Sequence, residues 1–144
     1  MARGIQVVFD AVDPRRLAEF WTEALGYITQ PPPPEFASWE DWATAMGIPE
    51  ENWNDAAALV DPDGAGPRIF IQKVPEAKTA KNRVHLDVNV GGGRETPPDE
   101  RRSLVDAEVE RLVAAGASVI GPMDQRDEYW VVLSDPEGNE FCIQ

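Results

Sequence analysis

The chain has 144 residues, 42% of them hydrophobic and 27% charged. That balance belongs to a folded globular protein and excludes a disordered one. The formal net charge of −13 excludes nucleic acid and anionic membrane as partners, because both are bound through basic patches. The single cysteine, Cys142, rules out an internal disulfide. No signal core and no run of ~20 apolar residues is found, so a cytoplasmic protein is expected.

Ile5, Val7 and Phe9 alternate with Gln6, Val8 and Asp10 as in a half-buried strand. Asp13-Pro14 supplies a helix cap followed by proline at the first helical position. Leu17, Phe20, Trp21 and Leu25 form one helical stripe, and Gly26 ends it. Trp21 is assigned to the core. Tyr27 to Gln30 reads as a short strand, and Pro31 to Pro34 as a stiff spacer. Ser38 can cap a helix carrying Trp39, Trp42, Ala43 and Met46 on one face, with Gly47 as its stop. Ala56 to Val60 and Arg68 to Val74 read as strands joined by the turn Asp61-Pro62-Asp63-Gly64.

The second half repeats this order. Val84, Leu86, Val88 and Val90 alternate with His85, Asp87 and Asn89 as a strand. Gly91 to Gly93 leads to a helix beginning near Pro98-Asp99, with Leu104, Val105, Val109, Leu112 and Val113 inward and Gly116 at its end. Strands over Ala117 to Ile120, Tyr129 to Leu133 and Glu140 to Ile143 follow. Tyr129 and Trp130 point to opposite sides of their strand, which leaves Trp130 free to face either way.

Each half therefore reads strand–helix–strand–strand–strand. The halves also share an echo, Val60-Asp61-Pro62-Asp63-Gly64 against Ser134-Asp135-Pro136-Glu137-Gly138, each followed by a strand ending in Ile-Gln at 71–72 and 143–144. These acidic segments lack the spaced oxygens of a calcium loop and are read as turns. The glycine run has no phosphate-loop register and is read as a connection. A duplicated unit of this size does not bury its apolar face alone. One domain over 1–144 is expected, with a first module of about 1–76 that contains a tryptophan-rich insert at 31–54. A linker at 77–82 and a second module of about 83–144 complete it.

The pattern Phe20-Trp21 before Ala24-Leu25-Gly26-Tyr27, the segment Lys81-Asn82-Arg83-Val84-His85-Leu86-Asp87, and the closing Asp135-Pro136-Glu137-Gly138-Asn139-Glu140-Phe141 together resemble the vicinal oxygen chelate superfamily. It is also called the glyoxalase/bleomycin-resistance/dioxygenase superfamily. More narrowly, the chain is similar to the glyoxalase-like domain common in actinobacteria. The resemblance implies an α+β fold of two βαβββ modules whose curled mixed sheets enclose a cavity, and it implies a homodimer.

In the metal enzymes of that superfamily, inward side chains from the first and last strand of each module, typically His, Glu, His and Glu, bind a divalent ion. Carried over residue by residue, the first position falls on Gln6. The second falls on Gln72, with Phe70 on the same face. The third falls on His85 and the fourth on Cys142, with Glu140 two residues earlier on its strand. A glutamine amide is a poor replacement for imidazole or carboxylate at a transition metal. No cofactor is therefore expected. The donors that a divalent Zn, Ni, Mn or Fe ion would use are His85, Glu140 and Cys142.

His85 is the only histidine. It reads either as a solvated residue on an open sheet face or as a general acid or base, oriented by Asp87 or Glu140. Cys142, in a buried-looking strand, is expected to be inert. Candidate ligand-binding residues are Gln6, Gln72, Arg83, His85, Glu140, Trp39 and Trp42. Arg83, with Lys81, either serves an anionic ligand or pairs with surrounding acids. The tryptophan insert reads as core packing, as a lid over a ring-bearing ligand, or as a subunit interface. Three functions follow: binding of a small organic molecule without metal, a lyase or isomerase using His85 with an acid, and protein interaction through the insert.

Overall fold

The computed structural model describes the whole chain, Met1–Gln144. The chain divides into two compact units. One comprises Met1–Thr22 and Gly26–Ala77, the other Glu23–Leu25 and Lys78–Gln144.

The first unit runs β1 (Gln6–Ala11), α1 (Pro14–Leu25), β2 (Ile28–Thr29), α2 (Trp39–Ala45), a 3-10 turn at Glu50–Asn52, β3 (Ala56–Val60) and β4 (Arg68–Lys73). Its sheet has the order β1-β4-β3-β2, with β1 and β4 parallel and the other pairs antiparallel. Helix α1 begins where Asp13 accepts a hydrogen bond from the Arg16 N–H at 3.3 Å. It ends at Gly26, whose φ of 66° is the left-handed geometry that glycine tolerates. Leu17, Phe20, Trp21 and Ala24 are buried, as are Ala11, Leu59, Ile69 and Ile71. Trp21 stacks on Phe9 with ring centres 5.1 Å apart. One sheet face is thus closed by apolar packing. By strand alternation Gln6, Val8, Asp10, Ala56, Ala58, Arg68, Phe70 and Gln72 stand on the other.

The second unit runs β5 (Asp87–Val88), α3 (Pro98–Ala114), β6 (Ser118–Gln125), β7 (Glu128–Ser134) and β8 (Glu140–Ile143). Its sheet order, β5-β8-β7-β6, repeats the first. The equivalent strands take the same places, so the fold consists of two βαβββ modules. Val131, Leu133, Phe141 and Ile143 are buried with Val105 and Leu112 of α3. Tyr129 shares their strand parity, and its hydroxyl donates to Asp106 of α3 at 2.5 Å. Trp130 therefore stands on the opposite, open face with Val132, Cys142 and Asp87.

Several expected boundaries shift. The strand expected over Val84 to Val90 contracts to Asp87–Val88. Alternation alone provides no hydrogen-bond partner. The neighbouring strand β8 begins only at Glu140, and it meets Asn82 through its side chain instead of its backbone. Val84 is left 81% exposed. The Tyr27 to Gln30 strand contracts to Ile28–Thr29. Strand β6 runs longer than expected and turns into β7 through Arg126 and Asp127, at φ of 53° and 64°. That polar tip conceals a tight hairpin. Leu104 and Val113 are exposed, because they flank the Val105–Leu112 stripe that α3 buries. Lys78 to Asn82 belong to the second unit, tied to β8.

The two acidic echoes are turns held by their first carboxylate. Asp61 accepts from the backbone N–H groups of Asp63, Ala65 and Gly66. Asp135, 4% exposed, accepts from those of Glu137 and Asn139. Oxygens spent in this way on local backbone make an Asx turn.

Candidate functional site

A cavity of about 810 Å³ opens within the first unit. Its origin lies in the proline run. Gln30 N–H donates to the Ala58 carbonyl at 2.8 Å. Continuing the β2–β3 register two further steps puts Pro32 opposite Ala56, and proline has no N–H to give. The edge strand stops there and the insert leaves the sheet. Ser38 then caps α2 by accepting from the Asp41 N–H at 3.0 Å. Trp39 and Trp42, three residues apart on one helical face, meet edge to face with centres 5.4 Å apart.

The indole N–H of Trp39 donates to the Gln30 carbonyl at 2.7 Å, and that of Trp53 to the Ile48 carbonyl at 3.0 Å. These bonds fix two rings and leave their faces apolar. Asn54 ties the insert to α1, accepting from Arg15 N–H at 2.9 Å and donating to Asp13 at 2.8 Å. The Arg15–Glu40 ion pair at 3.1 Å adds a second tie. The floor is made of the small side chains of Ala56 and Ala58, with the strand at Ala57 between them and Phe70 beside them.

Arg68 also lines the cavity. Its Nε donates to Gln30 Oε1 and its Nη1 to Gln6 Oε1, both at 2.6 Å. The guanidinium carbon lies 5.3 Å from the Phe70 ring centre. Gln72 donates instead to Asp10 at 2.8 Å and is exposed.

In the second unit, His85 Nδ1 lies 3.2 Å from Asp87 Oδ1. Donor atoms of His85, Asp87 and Cys142 all lie within 4.8 Å of one another. Burial, and then the adjacent Asp87 charge, push the Cys142 thiol up to about 11. Glu140 stands apart from this group. It accepts from the Asn82 N–H at 2.9 Å and pairs with Lys78 at 3.1 Å. Those bonds, the Asn82 one first, hold its carboxyl at about 2. A carboxylate so tied stays ionised near neutrality and is a poor general acid.

The structure thus brings Trp39 and Trp42 together at one cavity, with Gln6 reaching it through Arg68. It brings His85 to Asp87 and Cys142, and leaves Gln72 and Arg83 on exposed stretches. Sequence reasoning missed Arg68 and the alanine floor, and it grouped Trp53 with Trp39 and Trp42 in the insert without naming it a ligand-binding residue. The signal for Arg68 was its pairing with Gln6, visible only once the β1–β4 register is known.

Register also tests the superfamily's metal positions. Gln72 bonds across to Asp10, as Gln144 bonds to Asn89 at 2.9 Å in the second sheet. Counting back from these matched pairs, Phe70 corresponds to Cys142 and Gln6 to His85. Phe70 offers no donor and Gln6 is spent on Arg68, so the two positions in the first unit supply no metal ligand. The residues present do not fit a four-ligand dication centre.

No curated protein matches the chain. Solved structures do match in fold. A fosfomycin resistance protein, FosX, from Listeria monocytogenes, solved with Mn(II) and 1S,2S-dihydroxypropylphosphonic acid, superposes with a TM-score of 0.63 at 13% identity. That match covers 100% of this chain and 90% of the other. A bleomycin-binding protein from Streptomyces verticillus, solved with copper(II)-bleomycin, gives 0.54 at 16% identity, covering 100% and 96%. A glyoxalase/bleomycin resistance protein/dioxygenase family enzyme from Burkholderia phytofirmans gives 0.58 at 20%, covering 96% and 94%. Residues 6–144 match the family described as the glyoxalase-like domain. With its duplicated βαβββ modules, the chain belongs to that family.

Proposed function

We propose that the protein binds a small, ring-bearing organic molecule in the aromatic cavity of its first unit, without a tightly held catalytic metal. The observation that carries this reading is the arrangement of Trp39, Trp42, Trp53 and Phe70 around an alanine floor in a space of about 810 Å³. That volume suits a drug-sized ligand. Ring faces on several sides favour a flat partner. The fold is shared with a bleomycin-binding protein and with fosfomycin resistance proteins, which makes a small-molecule role the natural one for this scaffold.

The five tryptophans provide the test. In a ¹⁵N-indole spectrum, added 2-naphthamide is expected to shift the Trp39, Trp42 and Trp53 signals and leave Trp21 in place. Ala58→Phe, which fills the floor, is expected to abolish the shifts while the fold persists. Absence of any shift at millimolar probe, or equal movement of all five signals, overturns the reading.

A second reading is favoured by the proximity of His85, Asp87 and Cys142. With a proton on Nδ1 shared with Asp87, His85 presents Nε2 as a base for lyase or isomerase chemistry. Three donors of nitrogen, oxygen and sulfur type also suit a zinc-like ion. Titration with Co(II) separates the two readings. A sulfur-to-cobalt absorption band lost in His85→Ala supports the second, and its absence supports the first.

A further inference from the structure

We propose that the cavity selects an aromatic carboxylate, with its ring against Trp39, Trp42 and Phe70 and its carboxylate on Arg68. This deepens the small-molecule reading and rests on it.

The argument begins with charge. In a chain with 26 acidic and 13 basic side chains, an arginine in a cavity wall would be expected to find a carboxylate. Arg68 has none. Its partners are the side-chain oxygens of Gln6 and Gln30, both neutral amides. The other ions of the wall are mostly matched: Glu40 pairs with Arg15 at 3.1 Å, and Asp55 with Lys73 at 3.6 Å. Glu19, on α1, is an exposed carboxylate at the same wall with no ion pair.

The two glutamines orient the guanidinium without neutralising it. Of its five N–H groups, Nε–H and one on Nη1 are used. One on Nη1 and both on Nη2 remain, enough donors for a carboxylate to accept two hydrogen bonds from the one charged group. The guanidinium carbon over the Phe70 ring adds to this order, since a cation–π contact restrains the side chain before it binds. A charge held in place beside apolar ring faces is an amphipathic socket. It fits a ligand that is flat and apolar at one end and anionic at the other.

Isothermal titration calorimetry on the full chain with three probes of one shape tests this. The probes are 2-naphthoate, neutral 2-naphthamide and cationic 2-naphthylmethylammonium. Naphthoate is expected to bind at least tenfold more tightly than the amide, and the ammonium more weakly than either. Arg68→Gln is expected to erase the naphthoate advantage while leaving amide affinity within about threefold. Arg68→Lys, which keeps the charge and loses the guanidinium, is expected to restore only part of it. Raising the salt is expected to weaken naphthoate and not the amide.

If amide or ammonium binds as well as naphthoate to the unaltered protein, the carboxylate preference is wrong while the aromatic cavity stands. If none of the three binds at millimolar concentration, the cavity reading and this inference fall together. The probe comparison needs no variant, so a misfolded Arg68→Gln does not protect the proposal.

Discussion

Gln6 and Arg68 stand opposite each other in the parallel β1–β4 pair, and the Gln6 side-chain oxygen accepts from Arg68 Nη1 at 2.6 Å. An acceptor that bonds without charge leaves the guanidinium electrostatically available. Gln6→Glu changes that single property. The new carboxylate would compete for Arg68, so naphthoate affinity is expected to fall roughly tenfold, the scale of one charge-assisted hydrogen bond. Stability is expected to change by less than about 1 kcal/mol, as for other exposed ion pairs. Calorimetry and urea unfolding measure the two effects separately.

Asp13 joins helix and insert. The Asn54 side chain donates to its carboxylate, as does the Arg16 N–H, and these bonds, Asn54 first, hold the carboxyl below its ordinary 3.8. A folded-state value below the unfolded one stabilises above about pH 3.8, and this stabilisation is lost as pH falls further. Asn54→Ala is expected to move the Asp13 carboxyl up in a ¹³C titration and to flatten the acid limb of stability below pH 4. Asp13→Ala removes the cap itself and is expected to cost about 1 kcal/mol at neutral pH. An unmoved Asp13 titration in Asn54→Ala would count against the link.

Trp21 is fully buried between Phe9 and Phe20, with ring centres at 5.1 and 5.6 Å. Trp21→Ala is expected to cost about 3–5 kcal/mol in denaturant unfolding. Trp42→Ala, at a half-buried position on the cavity, is expected to cost no more than about 2 kcal/mol. Equal losses would show that the insert is part of the first unit's core.

Cys142 is 7% exposed, and its thiol is pushed up to about 11. The thiolate is the nucleophile, so native protein at pH 8 is expected to resist iodoacetamide for hours. In denaturant it is expected to take up one equivalent. Mass spectrometry reads both states, and rapid native alkylation would place the thiol at an accessible surface.

The repeat was legible because each half carries its own helix stop and turn. Gly26 and Gly116 end the helices, and Asp61 and Asp135 organise matching turns by local hydrogen bonds. Such signals act within a few residues, and a sequence displays them directly. The strand expected around His85 failed for the opposite reason. Its length depends on where β8 begins, which no alternation of side chains reveals. Arg68 stayed hidden likewise, since its partners Gln6 and Gln30 lie 62 and 38 residues away. Trp39 and Trp42 were legible as a pair through helical spacing. Their assignment to a cavity depended on Trp39 reaching Gln30 and on the alanines of β3.

The proline at position 32 has one more effect. A sheet margin with free amide and carbonyl groups invites a strand from another molecule, the first step of edge-to-edge aggregation. Ala56, Ala57 and Ala58 lie along such a margin, and Trp39, Trp42 and Trp53 line the same cavity beside it. Shortening the segment is therefore expected to lower solubility, read as light scattering at rising protein concentration, so that an insert that looks like an accessory would act as a guard.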